Sequence, residues 1–206
     1  MRRALVNTAA AIAATVLVVS AAGCGGPVVP AAPPAVRTPV VHGQSSGRPA
    51  ALTQAEAEQA GVYAQVLRRY LSSPAENSFP GQAFTTVYVI DKAYTDAADP
   101  NGTHGPGAPI APEVQRQVTD ALAGLAHVTF IADRESVIVT SAGCWEVRDG
   151  GILITLGPPV GHGDELQVGI NGFVACAGAT WLTYVLRDQP GVGWRVTGTT
   201  GTMAIA

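Results

Sequence analysis

The first extended amphipathic pattern begins after Thr53. Residues 53–56 read Thr-Gln-Ala-Glu, the form of a capping box, in which the Thr hydroxyl and the Glu carboxylate satisfy free backbone donors. Apolar side chains then recur three and four residues apart, as on one face of a helix: Tyr63, Val66, Leu67, Tyr70 and Leu71. Because Ser73 and Pro74 break this pattern, we predict a helix over residues 53–72.

A second amphipathic pattern begins at Pro112, which is well placed as the first residue of a helix, with Glu113 in the first turn. Its apolar positions predict a buried stripe: Val114, Val118, Ala121, Leu122 and Leu125. Between the two helices, residues 84–91 are β-branched and aromatic and predict a strand. Residues 92–110 are rich in glycine, proline and short polar side chains, and predict a long loop.

After the second helix the pattern is that of short strands separated by glycine-rich turns. Residues 149–151 and 188–193 predict turns, and residues 157–164 predict a loop. Strands are predicted over 128–132, 137–140, 152–156, 165–175, 180–187 and 194–197, and residues 203–206 could extend the last one. The fold class that follows is α+β, with two amphipathic helices packed on a curved, mainly antiparallel sheet.

The N-terminus has the order of a secretory signal: Arg2 and Arg3, an apolar run, and then small residues. The apolar run is shorter than the ~20 residues that span a bilayer. Residues 21–24, Ala-Ala-Gly-Cys, resemble the bacterial lipobox. That resemblance implies that Cys24 becomes the first residue of the mature chain and carries a diacyl lipid, which suffices for stable anchoring. The alternative is an ordinary signal followed by a chance cysteine.

These patterns divide the chain into a signal peptide (1–23), a lipidated Cys24 with a proline-rich tether (24–52), and one globular domain (53–206). The chain has 12 Lys and Arg against 15 Asp and Glu, a net charge of −3. Since no basic cluster is present, we do not expect nucleic-acid binding. The protein is predicted to lie at the cell membrane, anchored on the extracytoplasmic face.

Lysine occurs once, at Lys92, in a chain rich in Ala, Gly, Pro and Val, which indicates a GC-rich genome. Residues 146–157 and 178–201 resemble segments of uncharacterised actinobacterial exported lipoproteins. Residues 150–200 resemble the last strands of NTF2/cystatin-like α+β rolls, through a long strand, a hairpin turn and the sequence Gly-Trp-Arg-Val. These resemblances imply a compartment and a shape, and they supply no catalytic residues.

Cys144 and Cys176 are the remaining cysteines if Cys24 is lipidated. Two cysteines in an exported domain usually pair, because the compartment is oxidising. We therefore predict a disulfide between them, with two buried free thiols as the alternative.

Two loops contain residue types that bind metal ions, but their spacing does not match a metal site. When Gly102 is aligned with the glycine of an EF-hand loop, Ala97 and Ala108 fall at the two end positions that must supply oxygen ligands. His162, Asp164 and Glu165 are more simply the tip of a hairpin. We expect no metal, no cofactor and no assigned catalytic residue, since no catalytic motif is present.

The aromatic residues are the remaining candidates for a site, because they would line a pocket if the fold is a cone-shaped roll. The candidate set is Tyr63, Tyr70, Phe130, Phe173, Trp181 and Tyr184. The alternative is that they fill the core. The sequence thus predicts a non-catalytic binding domain for a small apolar ligand or an envelope protein. Two alternatives stay open: a small roll-fold enzyme using acid–base chemistry, and a purely structural envelope protein.

Overall fold

Helix α1 (Gln54–Ser72) begins where its capping box predicts, in a computed structural model that describes residues 51–206. The Glu56 amide donates to the Thr53 hydroxyl at 3.2 Å, and the Thr53 amide donates to the Glu56 carboxylate at 2.8 Å. The predicted signal, the lipidation at Cys24 and the tether up to residue 50 lie outside the described residues. A short helix, α2 (Pro74–Asn77), follows α1.

Helix α3 (Pro112–Leu122) has Pro112 in its first turn, as predicted, and buries Val114, Val118 and Leu122 completely. The prediction that Ala121 and Leu125 belong to the buried stripe of this helix is wrong, because both residues are exposed. Leu125 lies beyond the end of the helix. Ala121 lies beside the buried row, where its carbonyl accepts a hydrogen bond from the Arg68 guanidinium of α1 at 2.6 Å.

Within residues 51–206, ten strands form one mixed, curled sheet, and this confirms the α+β class. Along the sheet the order is β10, β9, β8, β6, β1, with β2 and β3 both paired to β1 and with β5 and β7 paired to β8. The strands are β1 (Thr86–Ala93), β2 (Ala108–Pro109), β3 (His127–Ile131), β4 (Ile138–Ser141), β5 (Cys144–Val147), β6 (Ile152–Leu156), β7 (Val160–His162), β8 (Glu165–Ala175), β9 (Gly178–Gln189) and β10 (Gly193–Ile205).

Strand β1 runs parallel to both β3 and β6, and the other pairings are antiparallel. The parallel pair β1–β3 is connected through α3, as a parallel crossover requires. Strands β2 and β7 lie within the predicted loops 92–110 and 157–164. The edge strand β10 is interrupted by two register shifts against β9, a common protection of an exposed strand edge.

The sheet presents two faces, because successive side chains along a strand alternate. The inner face packs against α1 and α3, and most of the core lies there, including Val89, Ile154, Ile170 and Leu182. The opposite side is called the outer face here. It carries a smaller apolar cluster around Tyr88, Ile90 and Leu153.

Candidate functional site

A groove of about 760 Å³ lies on the outer face of the sheet. Neighbouring strands hold its floor in register: Leu153 of β6 pairs with Phe173 of β8, and Thr155 pairs with Asn171. Asn171 pairs in turn with Trp181 of β9. The floor therefore consists of side chains on the same face of adjacent strands, and its positions are fixed by the backbone ladder.

The first wall of the groove is the segment after β1, where Tyr94 and most of residues 99–107 line the cavity. Asp96 organises this wall, because one carboxylate oxygen accepts from the His104 amide at 2.8 Å and the other lies 3.0 Å from His104 Nδ1. The His104 ring also lies against Tyr94, with centroids 5.1 Å apart. The segment predicted as a loop over residues 92–110 is thus ordered by its own hydrogen bonds and forms one wall of the groove.

The contact with His104 also affects the charge of Asp96. The side-chain hydrogen bond with His104 lowers the pKa of Asp96 below its ordinary value, and slight burial opposes this effect. Asp96 consequently stays ionised over a wider pH range than a solvated aspartate. The position of the His104 ring depends on that charge.

The second wall comes from the β4–β5 hairpin, held in place by a disulfide between Cys144 and Cys176. The predicted pairing is confirmed, and free thiols are excluded at these positions. The Cys176 amide also donates to the Trp145 carbonyl at 2.9 Å. Together these bonds fix Trp145 at the rim of the groove, with its side chain 64% exposed.

A tight turn at residues 132–135 completes the lining. The Asp133 carboxylate accepts a hydrogen bond from the Glu135 amide, which orders the turn. The Arg134 guanidinium lies over the Phe173 ring, 5.9 Å from its centroid, within the range of a cation–π contact. One face of Phe173 is therefore partly covered by a charged side chain.

The six predicted pocket residues do not line one cavity, because they lie on two faces of the sheet. Phe173 and Trp181 line the groove. Tyr63, Tyr70 and Tyr184 are fully buried in the main core, and Phe130 is half-buried against it. The interior that a roll could leave open is filled by these side chains.

The three tyrosines of the predicted pocket set satisfy their hydroxyl groups within the core. Tyr63 donates to the Gly157 carbonyl at 3.1 Å, Tyr70 pairs with the Thr180 hydroxyl, and Tyr184 donates to the Glu76 carboxylate at 2.9 Å. Burial raises the pKa of Tyr63 and of Tyr70 to about 12. Burial, together with the neighbouring Glu76, raises the pKa of Tyr184 as well. These tyrosines are consequently neutral structural groups.

Sequence reasoning missed several lining residues: Lys92, Tyr94, His104, Trp145, Thr155 and Asn171. Asn171 could have been predicted from the alternation of side chains along a strand, since residues 171 and 173 must share a face. His104 and Trp145 gave no such signal, because a loop and a disulfide-linked hairpin bring them to the groove.

The acidic loop contains no converging ligand set. Asp96 binds His104, and the Asp99 carboxylate accepts from the Asn101 amide at 2.8 Å, which is a local turn. Within residues 51–206, no three His, Cys, Asp or Glu side chains are placed to hold a metal ion. None of the helices in this part of the chain has the length and apolar character needed to cross a membrane.

Comparison with known protein families, with curated proteins and with solved structures finds no match to this chain. The resemblances to actinobacterial lipoproteins and to NTF2/cystatin-like rolls therefore stay predictions. What the molecule can do must be inferred from the groove. Aromatic faces, an amide, hydroxyl groups and charges of both signs line it, an arrangement suited to holding a ligand.

Proposed function

We propose that this protein is a lipid-anchored binding domain on the extracytoplasmic face of the membrane, and that its ligand occupies the outer-face groove. The observation that carries the proposal is the floor of that groove. Phe173 and Trp181 remain only half-buried there, beside the polar groups of Thr155 and Asn171. Ligand sites commonly combine apolar surface with a few placed polar groups in cavities of about 300–1,000 Å³.

The walls support this function because contacts within the protein hold them in place. Asp96 fixes one wall through His104, and the Cys144–Cys176 disulfide fixes the other. A preformed site loses less conformational entropy when its ligand binds. Anchoring rests on the sequence alone, on Cys24 and the residues before it, and the proline-rich tether would hold the groove away from the bilayer.

Native mass spectrometry of the full chain, gently extracted from its own envelope, tests the proposal. We expect a diacyl mass on Cys24 and an additional, non-covalent mass on the folded protein. The additional mass should be lost in Trp181→Ala. It should persist in Val160→Ala, whose side chain is 63% exposed and lies outside the groove.

An envelope protein is the alternative occupant of the same groove. A bare protein in the mass spectrum, together with a cross-link from the groove to one defined polypeptide, would favour that occupant. A bare protein without such a cross-link would contradict a binding role for the groove.

Acid–base catalysis is a second candidate, and one observation favours it. His104 lines the groove, and its Nδ1 lies against the Asp96 carboxylate, an arrangement that orients a histidine for proton transfer. If the ligand found by mass spectrometry is converted by the wild type and not by His104→Gln, the protein is an enzyme. If both leave it unchanged, the binding role stands alone.

A further inference from the structure

We infer that the ligand of the groove is an uncharged oligosaccharide. The inference rests on the proposed function, because it assumes that the groove is a binding site. It is carried by the kinds of surface that the groove offers and by the balance of its charges.

The tryptophans supply the flat apolar surfaces that a sugar ring requires. One face of a pyranose ring presents C–H groups and packs against an indole, while its hydroxyls project sideways to polar partners. Trp181 lies in the floor and Trp145 at the rim, where it is 64% exposed. Phe173 is less available, since Arg134 already lies over its ring. The two indoles are therefore the platforms.

The polar groups of the floor match hydroxyl groups, which both donate and accept hydrogen bonds. The Asn171 side-chain amide donates to the Thr180 carbonyl at 3.0 Å. Its amide oxygen has no partner within residues 51–206 and is free to accept. The Thr155 hydroxyl likewise makes no hydrogen bond to the described residues. Thr155, Asn171 and Trp181 form one row across β6, β8 and β9 in the strand register, and Leu153 and Phe173 belong to the neighbouring row.

The charges of the groove argue against an anionic ligand. Two cationic side chains, Lys92 and Arg134, are outnumbered by three anionic ones, Asp99, Asp133 and Glu135. A phosphate-rich or otherwise polyanionic ligand would be attracted by an excess of positive charge, which this groove lacks. Side chains of both signs at the rim can still exchange hydrogen bonds with neutral hydroxyls.

An acyl chain or another wholly apolar ligand fits these surroundings poorly. The walls expose charged and polar side chains, and the groove is open at Trp145. An apolar molecule would leave one side in water and would desolvate polar groups without replacing their hydrogen bonds. A saccharide can leave its hydroxyls in water on the open side and can replace the hydrogen bonds of the polar groups that it desolvates.

The test is an array of neutral and anionic glycans probed with the labelled full chain in detergent. Every hit is then remeasured by tryptophan fluorescence titration. We expect hits among the neutral glycans, with affinity reduced at least tenfold in Trp145→Ala and in Trp181→Ala. Thr155→Val, which replaces the hydroxyl by a methyl group of similar size, should weaken binding several-fold, and Val160→Ala should bind as the wild type does. Trp145 is largely exposed, so its replacement leaves the core intact; thermal unfolding of each variant checks this.

Binding to anionic glycans only, or to no glycan, would overturn the inference. A second titration with the apolar dye 1-anilinonaphthalene separates this failure from failure of the proposed function. If the dye binds the wild type and not Trp181→Ala, the groove is a site for an apolar ligand and only the saccharide assignment fails. If neither dye nor glycan binds, the saccharide assignment fails, and the native mass spectrum with the cross-linking described above decides whether the groove has a binding role.

Discussion

The Tyr70 hydroxyl occupies the space above Gly172, where a Cβ would lie 2.0 Å from the phenolic oxygen. Tyr70 also pairs with the Thr180 hydroxyl, so the ring reaches across the backbone of β8 to β9. This contact fastens α1 to the inner face of the same strands whose outer face forms the groove floor. Packing of α1 on the inner face therefore also helps to hold the strands that carry the groove floor on the outer face.

Gly172→Ala should destabilise the protein by about 1–3 kcal/mol, because the added methyl group overpacks a close contact against a buried ring. Chemical denaturation measures the effect. Gly61→Ala is the matched control: Gly61 lies in α1, and a Cβ there meets no atom within 4 Å. It should stabilise the protein by up to ~1 kcal/mol, since alanine is the better helix former. Equal effects of the two substitutions would refute the role of the Tyr70 contact.

Glu76 links α2 to the sheet and makes stability depend on pH. Its carboxylate accepts from Arg69 Nε at 3.0 Å and from the Tyr184 hydroxyl at 2.9 Å. Burial alone would raise the pKa of Glu76, but the hydrogen bonds from Arg69 and Tyr184 and the charge of Arg69 outweigh it and lower that pKa. The stabilisation is therefore present above the ordinary glutamate pKa, and it is lost as pH falls through the lowered one.

Glu76→Gln should cost roughly 1 kcal/mol at neutral pH, with a difference from wild type that shrinks as the pH falls below about 4.5. Urea unfolding at a series of pH values measures this. Glu113→Gln serves as the control, because Glu113 pairs with Arg116 on the surface of α3 and such pairs contribute little. A Glu76→Gln deficit that stayed constant down to pH 3 would show that its carboxylate charge is not responsible.

Most elements could be predicted from local patterns, whereas most of the strand pairing could not. The capping box at Thr53 and the apolar spacing that follows it specify α1 within one residue of its observed start. The order strand, helix, strand over residues 84–132 is typical of a parallel pair and could have predicted the pairing of β1 with β3. The prediction of a mainly antiparallel sheet did not use this signal. The neighbours of β1 depend on contacts distant in sequence, and no local pattern encodes them.

The sequence predicted that aromatic residues line the candidate site. It did not predict which of them lie on the groove side of the sheet. Phe173 and Trp181 were identified as aromatic, but the side of the sheet on which each aromatic lies depends on strand register. Tyr70 and Tyr184 resembled pocket residues, and they instead fill the core because buried hydroxyls can be satisfied by Thr180 and Glu76. Lys92 carries no sequence signal of a site, and its position in the groove follows only from the fold.

The disulfide should contribute roughly 3–4 kcal/mol to stability, because it closes a loop with a sequence separation of 32 residues. Replacing Cys144 and Cys176 by serine should lower the free energy of unfolding by that amount. Hydrogen exchange over residues 138–147 should rise, since the hairpin that carries Trp145 loses its covalent tie. Adding dithiothreitol to the wild type should reproduce both effects and leave the double variant unchanged. A reductant effect on the double variant would locate the sensitivity elsewhere.

The wall that Asp96 organises can be opened without disturbing the core. A Cβ at Gly102 would lie 2.6 Å from the Asp96 carboxylate, so Gly102→Ala should displace Asp96 and release His104. We expect faster hydrogen exchange over residues 95–107 and an altered NMR signal of the His104 ring, with global stability changed by less than about 1 kcal/mol because the segment is a surface loop. Gly105→Ala is the control in the same loop, since a Cβ there meets nothing within 4 Å. Because the pKa of Asp96 is lowered by His104, acidification through that pKa should produce the same local opening in the wild type. If Gly102→Ala left the His104 signal unchanged, the carboxylate would not be what holds this wall.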